Sequence, residues 1–141
     1  MRTSFPIVLF ALILSGCGHA FLPTPTKKKV AAADAVGTWQ YTADHGKTTI
    51  TIEIRTDGKF HQVVKLAGNS EPLQQGGTWT LDGADIKLDK VLTHEGYSDQ
   101  EGWVAVPASW YFVESAGRPP LVIFGGTHSD RDSWQEFKKL R

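Results

Sequence analysis

Ile50, Ile52 and Ile54 alternate with Thr49, Thr51, Glu53 and Arg55, and Asp57-Gly58 follows directly. A period of two marks a β-strand with one buried face, and Asp-Gly marks a hairpin. Register decides the loop. A two-residue loop would set Ile54 beside His61 and Ile50 beside Lys65, mixing the faces. A three-residue loop, Thr56-Asp57-Gly58, pairs Ile54 with Phe60 and Ile50 with Val64, and leaves Glu53 opposite His61 outside. The longer loop is therefore expected, with Gly58 left-handed in a bulge. Across Asp82-Gly83 the same test favours a two-residue loop that pairs Trp79 with Ile86, Leu81 with Ala84, Thr80 with Asp85 and Thr78 with Lys87.

The rest of the chain after Val36 continues in this manner. Trp103 to Glu114 is rich in strand formers, with Pro107 confined to an edge, a bulge or a break. Leu121 to Phe124 is a short apolar strand. Residues 133–140 read either as a helix opened by a Ser133–Glu136 capping box or as a closing strand. The strand is favoured because the sheet otherwise ends on an exposed apolar edge. About eight strands result, near 36–43, 47–55, 59–67, 76–81, 84–91, 103–114, 120–125 and 133–140. Short links without helices between them imply an all-β fold, a single antiparallel up-and-down barrel. The inward candidates are the three isoleucines, Phe60, Trp79, Leu81, Ile86, Leu88, Phe112 and Phe124. With Trp39 and Trp110 they are expected to fill the interior; the alternative is a pocket for a small apolar ligand.

Before that domain the chain is different. Met1-Arg2-Thr3-Ser4 is short and positively charged, and Phe5–Leu14 is ten residues without charge. As a helix the run spans about 15 Å, half of a bilayer core, which suits a signal peptide and not a transmembrane span. Leu14-Ser15-Gly16-Cys17 then resembles the lipobox of bacterial lipoproteins. The resemblance implies diacylglycerol on the Cys17 sulfur, cleavage after Gly16 and acylation of the new amino group, including palmitate-type chains. Cys17 is the only cysteine, so no disulfide or Cys-x-x-Cys chemistry competes for it. One acyl chain anchors marginally and two or more anchor stably. Gly18, where inner-membrane lipoproteins carry Asp, resembles the outer-membrane pattern, with the domain facing the periplasm of the cell envelope. The expected organisation is signal peptide 1–16, lipidated cysteine and flexible tether 17–35, and barrel 36–141. Pro23, Pro25 and Lys27-Lys28-Lys29 make the tether a solvated spacer, or place three lysines on anionic head groups.

Removal of 1–16 leaves 125 residues with 14 Lys+Arg against 15 Asp+Glu, room for one core and no basic excess to attract nucleic acid. Gly37-Thr38-Trp39 on the first strand resembles the Gly-x-Trp signature of lipocalin-like barrels, and Gly77-Thr78-Trp79 repeats it. The resemblance implies that Trp39 plugs the closed end under a basic residue of the last strand, Lys139 or Arg141.

An up-and-down course puts the turns at 56–58, 82–83 and 115–119 at the tether's end, and the connections at 44–46, 68–75, 92–102 and 125–133 at the other. That far end, or mouth, would carry His45, His94 and His128 with Asp44, Glu95, Tyr97, Asp99, Glu101, Asp130 and Asp132. Three imidazoles and a carboxylate could hold zinc or copper, although no His-x-x-x-His spacing is present. Gly-x-Ser-x-Gly, the phosphate-binding Gly-x-x-x-x-Gly-Lys and the full metalloprotease motif are absent. The sequence thus points to a lipid-anchored, non-enzymatic binding module for an envelope protein or small apolar ligand, with no cofactor beyond the covalent lipid. A metal-binding protein or metal-dependent hydrolase, and an inhibitor or immunity-type lipoprotein, are the alternatives.

Overall fold

The computed structural model describes residues 23–95, 102–114, 121–125 and 135–140. Eight strands run in chain order round a closed barrel: β1 (Gly37–Ala43), β2 (Thr48–Ile54), β3 (Lys59–Leu66), β4 (Leu73–Asp82), β5 (Asp85–Glu95), β6 (Gly102–Glu114), β7 (Leu121–Gly125) and β8 (Gln135–Lys139). All neighbours are antiparallel, and β8 closes on β1 through Trp39 opposite Lys139. This is the up-and-down barrel of lipocalin-like form that the strand pattern implies, and the C-terminal segment 135–139 is a strand.

The first hairpin has the expected register, with Ile54 opposite Phe60, Ile50 opposite Val64 and Glu53 opposite His61. Gly58, at φ 76°, takes the left-handed position. The second hairpin corrects the sequence reading by two residues. Trp79 lies opposite Leu88, Leu81 opposite Ile86 and Asp82 opposite Asp85, so the loop is Gly83-Ala84. Gly83 is at φ 63°. The turn wants glycine first, as in a type II′ hairpin, and the shift also brings Lys87 Nζ within 2.7 Å of the Asp82 carboxylate. Both registers keep apolar side chains on one face, so alternation alone could not separate them.

Two strands turn the corners of the barrel. β4 pairs with β3 over Leu73–Thr78 and with β5 over Trp79–Asp82. β8 pairs with β7 over Gln135–Phe137 and with β1 at Lys138 and Lys139. At the β4 corner a Cβ on Gly77 would collide with the Asp89 carboxylate and come within 2.7 Å of the Phe60 ring. The Asp89 carboxylate accepts hydrogen bonds there from the Thr78 N–H (2.7 Å) and hydroxyl (3.0 Å). β4 starts at Leu73 and β5 runs to Glu95, both further toward the mouth than alternation suggests. On β5 the register slips between Leu88 and Val91, so two residues face Pro107 of β6. Pro107 therefore sits at a bulge, where its missing N–H does little harm.

The interior is occupied by side chains. Trp39, Ile50, Ile52, Ile54, Val64, Phe112, Ile123 and Phe137 are at most 1% exposed. Trp110 stacks on Phe137 at 4.7 Å and covers Gly125 of the next strand. Trp79, Ile86 and Leu88 are also buried, while Leu81 is half-buried against the core. The Phe124 side chain lies outside the described residues.

Residues 23–35 depart from the expected free spacer: they lie against the barrel. The Tyr111 hydroxyl donates to Pro23 O (3.0 Å), Thr26 N–H donates to Phe112 O (2.8 Å), and Thr26 Oγ1 donates to Glu114 (3.1 Å). Lys28 pairs with Glu114 at 3.3 Å. Val30 and Ala35 join the core, and the short helix α1 (Ala32–Ala35) leads into β1. A segment of prolines, lysines and alanines without large apolar side chains gives no periodic signal for such docking, because separate hydrogen bonds and the buried Thr26, Val30 and Ala35 hold it. Residues 1–22, including Cys17 and its lipobox, lie outside the described residues.

Candidate functional site

Strand direction separates two ends. The near end holds the β2–β3 and β4–β5 turns, the end of β6 and the docked segment 23–35. Here Trp39 Nε1 donates to Ala35 O (2.7 Å), and Lys139 Nζ lies 5.3 Å from the Trp39 ring centre while also donating to Asp34 O (3.0 Å). Lys139 is thus the basic cover of the tryptophan; Arg141 lies outside the described residues. Trp79 repeats the arrangement, its indole N–H donating to Arg55 O at 2.8 Å. At this end the two indole N–H groups and the Lys139 ammonium are taken up by backbone carbonyls.

The far end collects what is left. His45 is exposed on the β1–β2 turn, with φ 55° in the left-handed region. His94 lies on β5, not on a loop as the sequence reading has it. It is opposite Trp103 of β6 and meets that ring edge-on at 5.6 Å. His128, Tyr97, Asp99, Glu101, Asp130, Asp132 and the side chains of Asp44 and Glu95 lie outside the described residues. Among the described residues no three His, Cys, Asp or Glu side chains come together to hold a metal.

Between the far halves of β4 and β5 the ladder is replaced by a side chain. Gln62, an inward residue of β3 with no exposure, donates from Nε2 to Leu92 O (3.0 Å) and accepts from Leu92 N–H (2.7 Å). Its amide stands in for a strand partner at the place where β4 turns away to β3. The amide thus closes the barrel wall between β4 and β5 at this level, above an interior filled by side chains.

The outer surface of the far end has a groove of about 500 Å³ beside the ends of β2 and β3. Ala67 N–H donates to Lys47 O (2.7 Å), extending the β2–β3 ladder, and Gly68 at φ 91° turns the chain so that Asn69 N–H reaches Leu66 O at 3.1 Å. The loop that follows makes one wall. Lys47, Thr49, Lys65, Asn69 and Ser70 contribute polar groups, and Leu66 and Pro72 apolar ones. Sequence reasoning passed over this groove in favour of histidines. Its floor was nonetheless readable, because the register that pairs Ile50 with Val64 also sets Thr49 opposite Lys65. A second hollow of similar size, about 490 Å³, lies outside β3 and β4 by Lys59, His61 and Gly76. Compared with protein-family models, curated proteins and solved structures, the chain matches none.

Proposed function

We propose that this chain is a lipid-anchored lipoprotein of the bacterial envelope that acts as a non-enzymatic binding module, held to the membrane at Cys17 and offering its far end to an envelope partner. The observation that supports this most is the docking of residues 23–35 on the near end. Five residues lie between Cys17 and Pro23, six Cα steps with a reach of at most about 20 Å, so an acylated Cys17 would keep the near end at the bilayer. The far end, with His45, His94, Trp103 and the groove, would face away from it. A small apolar ligand inside the barrel fits poorly with an interior already taken up by tryptophan, phenylalanine and isoleucine side chains.

The anchor is tested by mass spectrometry of the mature amino terminus and by fractionation of Cys17→Ser. An acylated cysteine, and release of the variant from the membrane fraction, are expected. An unmodified first residue, or unchanged membrane association of the variant, overturns the reading.

A further inference from the structure

Lys47 and Lys65 share the outer face of the β2–β3 hairpin, since Lys47 stands two residues from Thr49 and Thr49 lies opposite Lys65. They are diagonal neighbours, a placement that puts backbone positions roughly 7–8 Å apart. Both side chains are exposed, both line the groove, and among the described residues neither ammonium has a carboxylate within 4.0 Å. Lys28, Arg55, Lys87 and Lys138 each have a carboxylate partner, whereas Lys27, Lys29, Lys59 and Lys90 have no such ion pair among the described residues; Lys47 and Lys65 differ from these in lining one groove together. Two like charges set side by side repel each other and gain from a shared counter-charge. Around them stand the Thr49 hydroxyl, the Asn69 amide and the Ser70 hydroxyl, groups that donate to and accept from hydroxyls. Leu66 and Pro72 add apolar surface.

We infer that this groove binds an acidic saccharide, a sugar bearing carboxylate or phosphate groups. The lysines neutralise its anionic groups, the Thr, Asn and Ser side chains meet its hydroxyls, and Leu66 and Pro72 lie under the ring's C–H face. The inference names the chemistry of the partner at the far end proposed above. It does not depend on lipidation, so the two readings fail separately.

Polygalacturonate, with dextran as its neutral counterpart, is the probe, and the full mature chain in detergent is the protein. Binding is followed by calorimetry at low and at physiological ionic strength. Polygalacturonate is expected to bind and to weaken as salt rises, while dextran does not bind measurably. Lys47→Ala/Lys65→Ala is expected to weaken binding about threefold to tenfold, in keeping with two exposed charge contacts. Lys47→Arg/Lys65→Arg retains it. Lys27→Ala/Lys29→Ala, at the opposite end, leaves it unchanged. Thermal unfolding of the alanine pair should match the parent, since neither lysine is packed. Equal binding of dextran, no binding of either polymer, or an undiminished affinity in the alanine pair overturns the inference.

Discussion

At the residue scale the two Gly-Thr-Trp triplets show how one short pattern solves one packing problem twice. In each, the tryptophan is buried at the near end with its indole N–H given to a backbone carbonyl, Ala35 O for Trp39 and Arg55 O for Trp79. Each glycine lies where a neighbour crosses, the Lys139 stem over Gly37 and Asp89 with Phe60 over Gly77. Asp89 carries a testable consequence. The backbone N–H of Thr78, followed by its hydroxyl, holds the Asp89 carboxyl below the usual aspartate range. A carboxyl lowered in the folded state adds stability that is present above its unfolded pKa and is lost as pH falls through the folded one. Asp89→Asn removes this proton linkage. Urea midpoints of parent and variant should therefore differ at pH 7 and converge on acidification below the ordinary aspartate range. A gap that stays constant with pH would show that the Thr78 contact does not depend on charge. Glu53 and Asp82 are lowered too, by hydrogen bonds from Arg55 and Lys87; they remain in both proteins and cancel in the comparison.

At the element scale the strands themselves were legible in the sequence, and their register only where a wrong choice exposes apolar groups. The β2–β3 hairpin offers that contrast: slipping it by one residue sets Ile54 against His61. The β4–β5 hairpin does not, since a slip of two residues returns every side chain to its own face. There the left-handed need of the first turn residue, met by Gly83, settles the matter. The Gln62 bridge was illegible for a different reason. A lone polar residue among Phe60, Val64 and the isoleucines carries no mark of what it will meet across the barrel. Its role can be measured. Gln62→Leu keeps the side chain's bulk but leaves the Leu92 N–H and C=O without their partner, at a cost of about 1–3 kcal/mol. Denaturant unfolding should register that loss, and hydrogen exchange at the Leu92 amide should accelerate more than at Ile52. A stability unchanged within 0.5 kcal/mol would mean that water or a shifted β4 takes over the pairing.

At the scale of the whole molecule, the docked segment 23–35 turns a barrel with two ends into one with a direction. The histidine cluster expected from the sequence is reduced, within the described residues, to His45 and His94, because β5 carries His94 into the sheet beside Trp103. What distinguishes the far end is instead its groove and its distance from the anchor proposed at Cys17. Thr56 lies in the near-end turn; Thr42, near the far end of β1, stands opposite Thr49, seven residues along β2 from Thr56. At about 3.3 Å per residue and a tilt near 40°, the two are separated along the barrel axis by roughly 18 Å. Cys17 is the only natural cysteine, and an acylated sulfur cannot be labelled, so Thr56→Cys and Thr42→Cys each present a single free thiol. Both positions are exposed and outside the core. With the lipidated protein in vesicles carrying a head-group quencher, a fluorophore at position 56 should be quenched several-fold more than one at 42. If the two are quenched alike, the five residues between Cys17 and Pro23 leave the barrel free to tumble, and the docked segment sets no orientation.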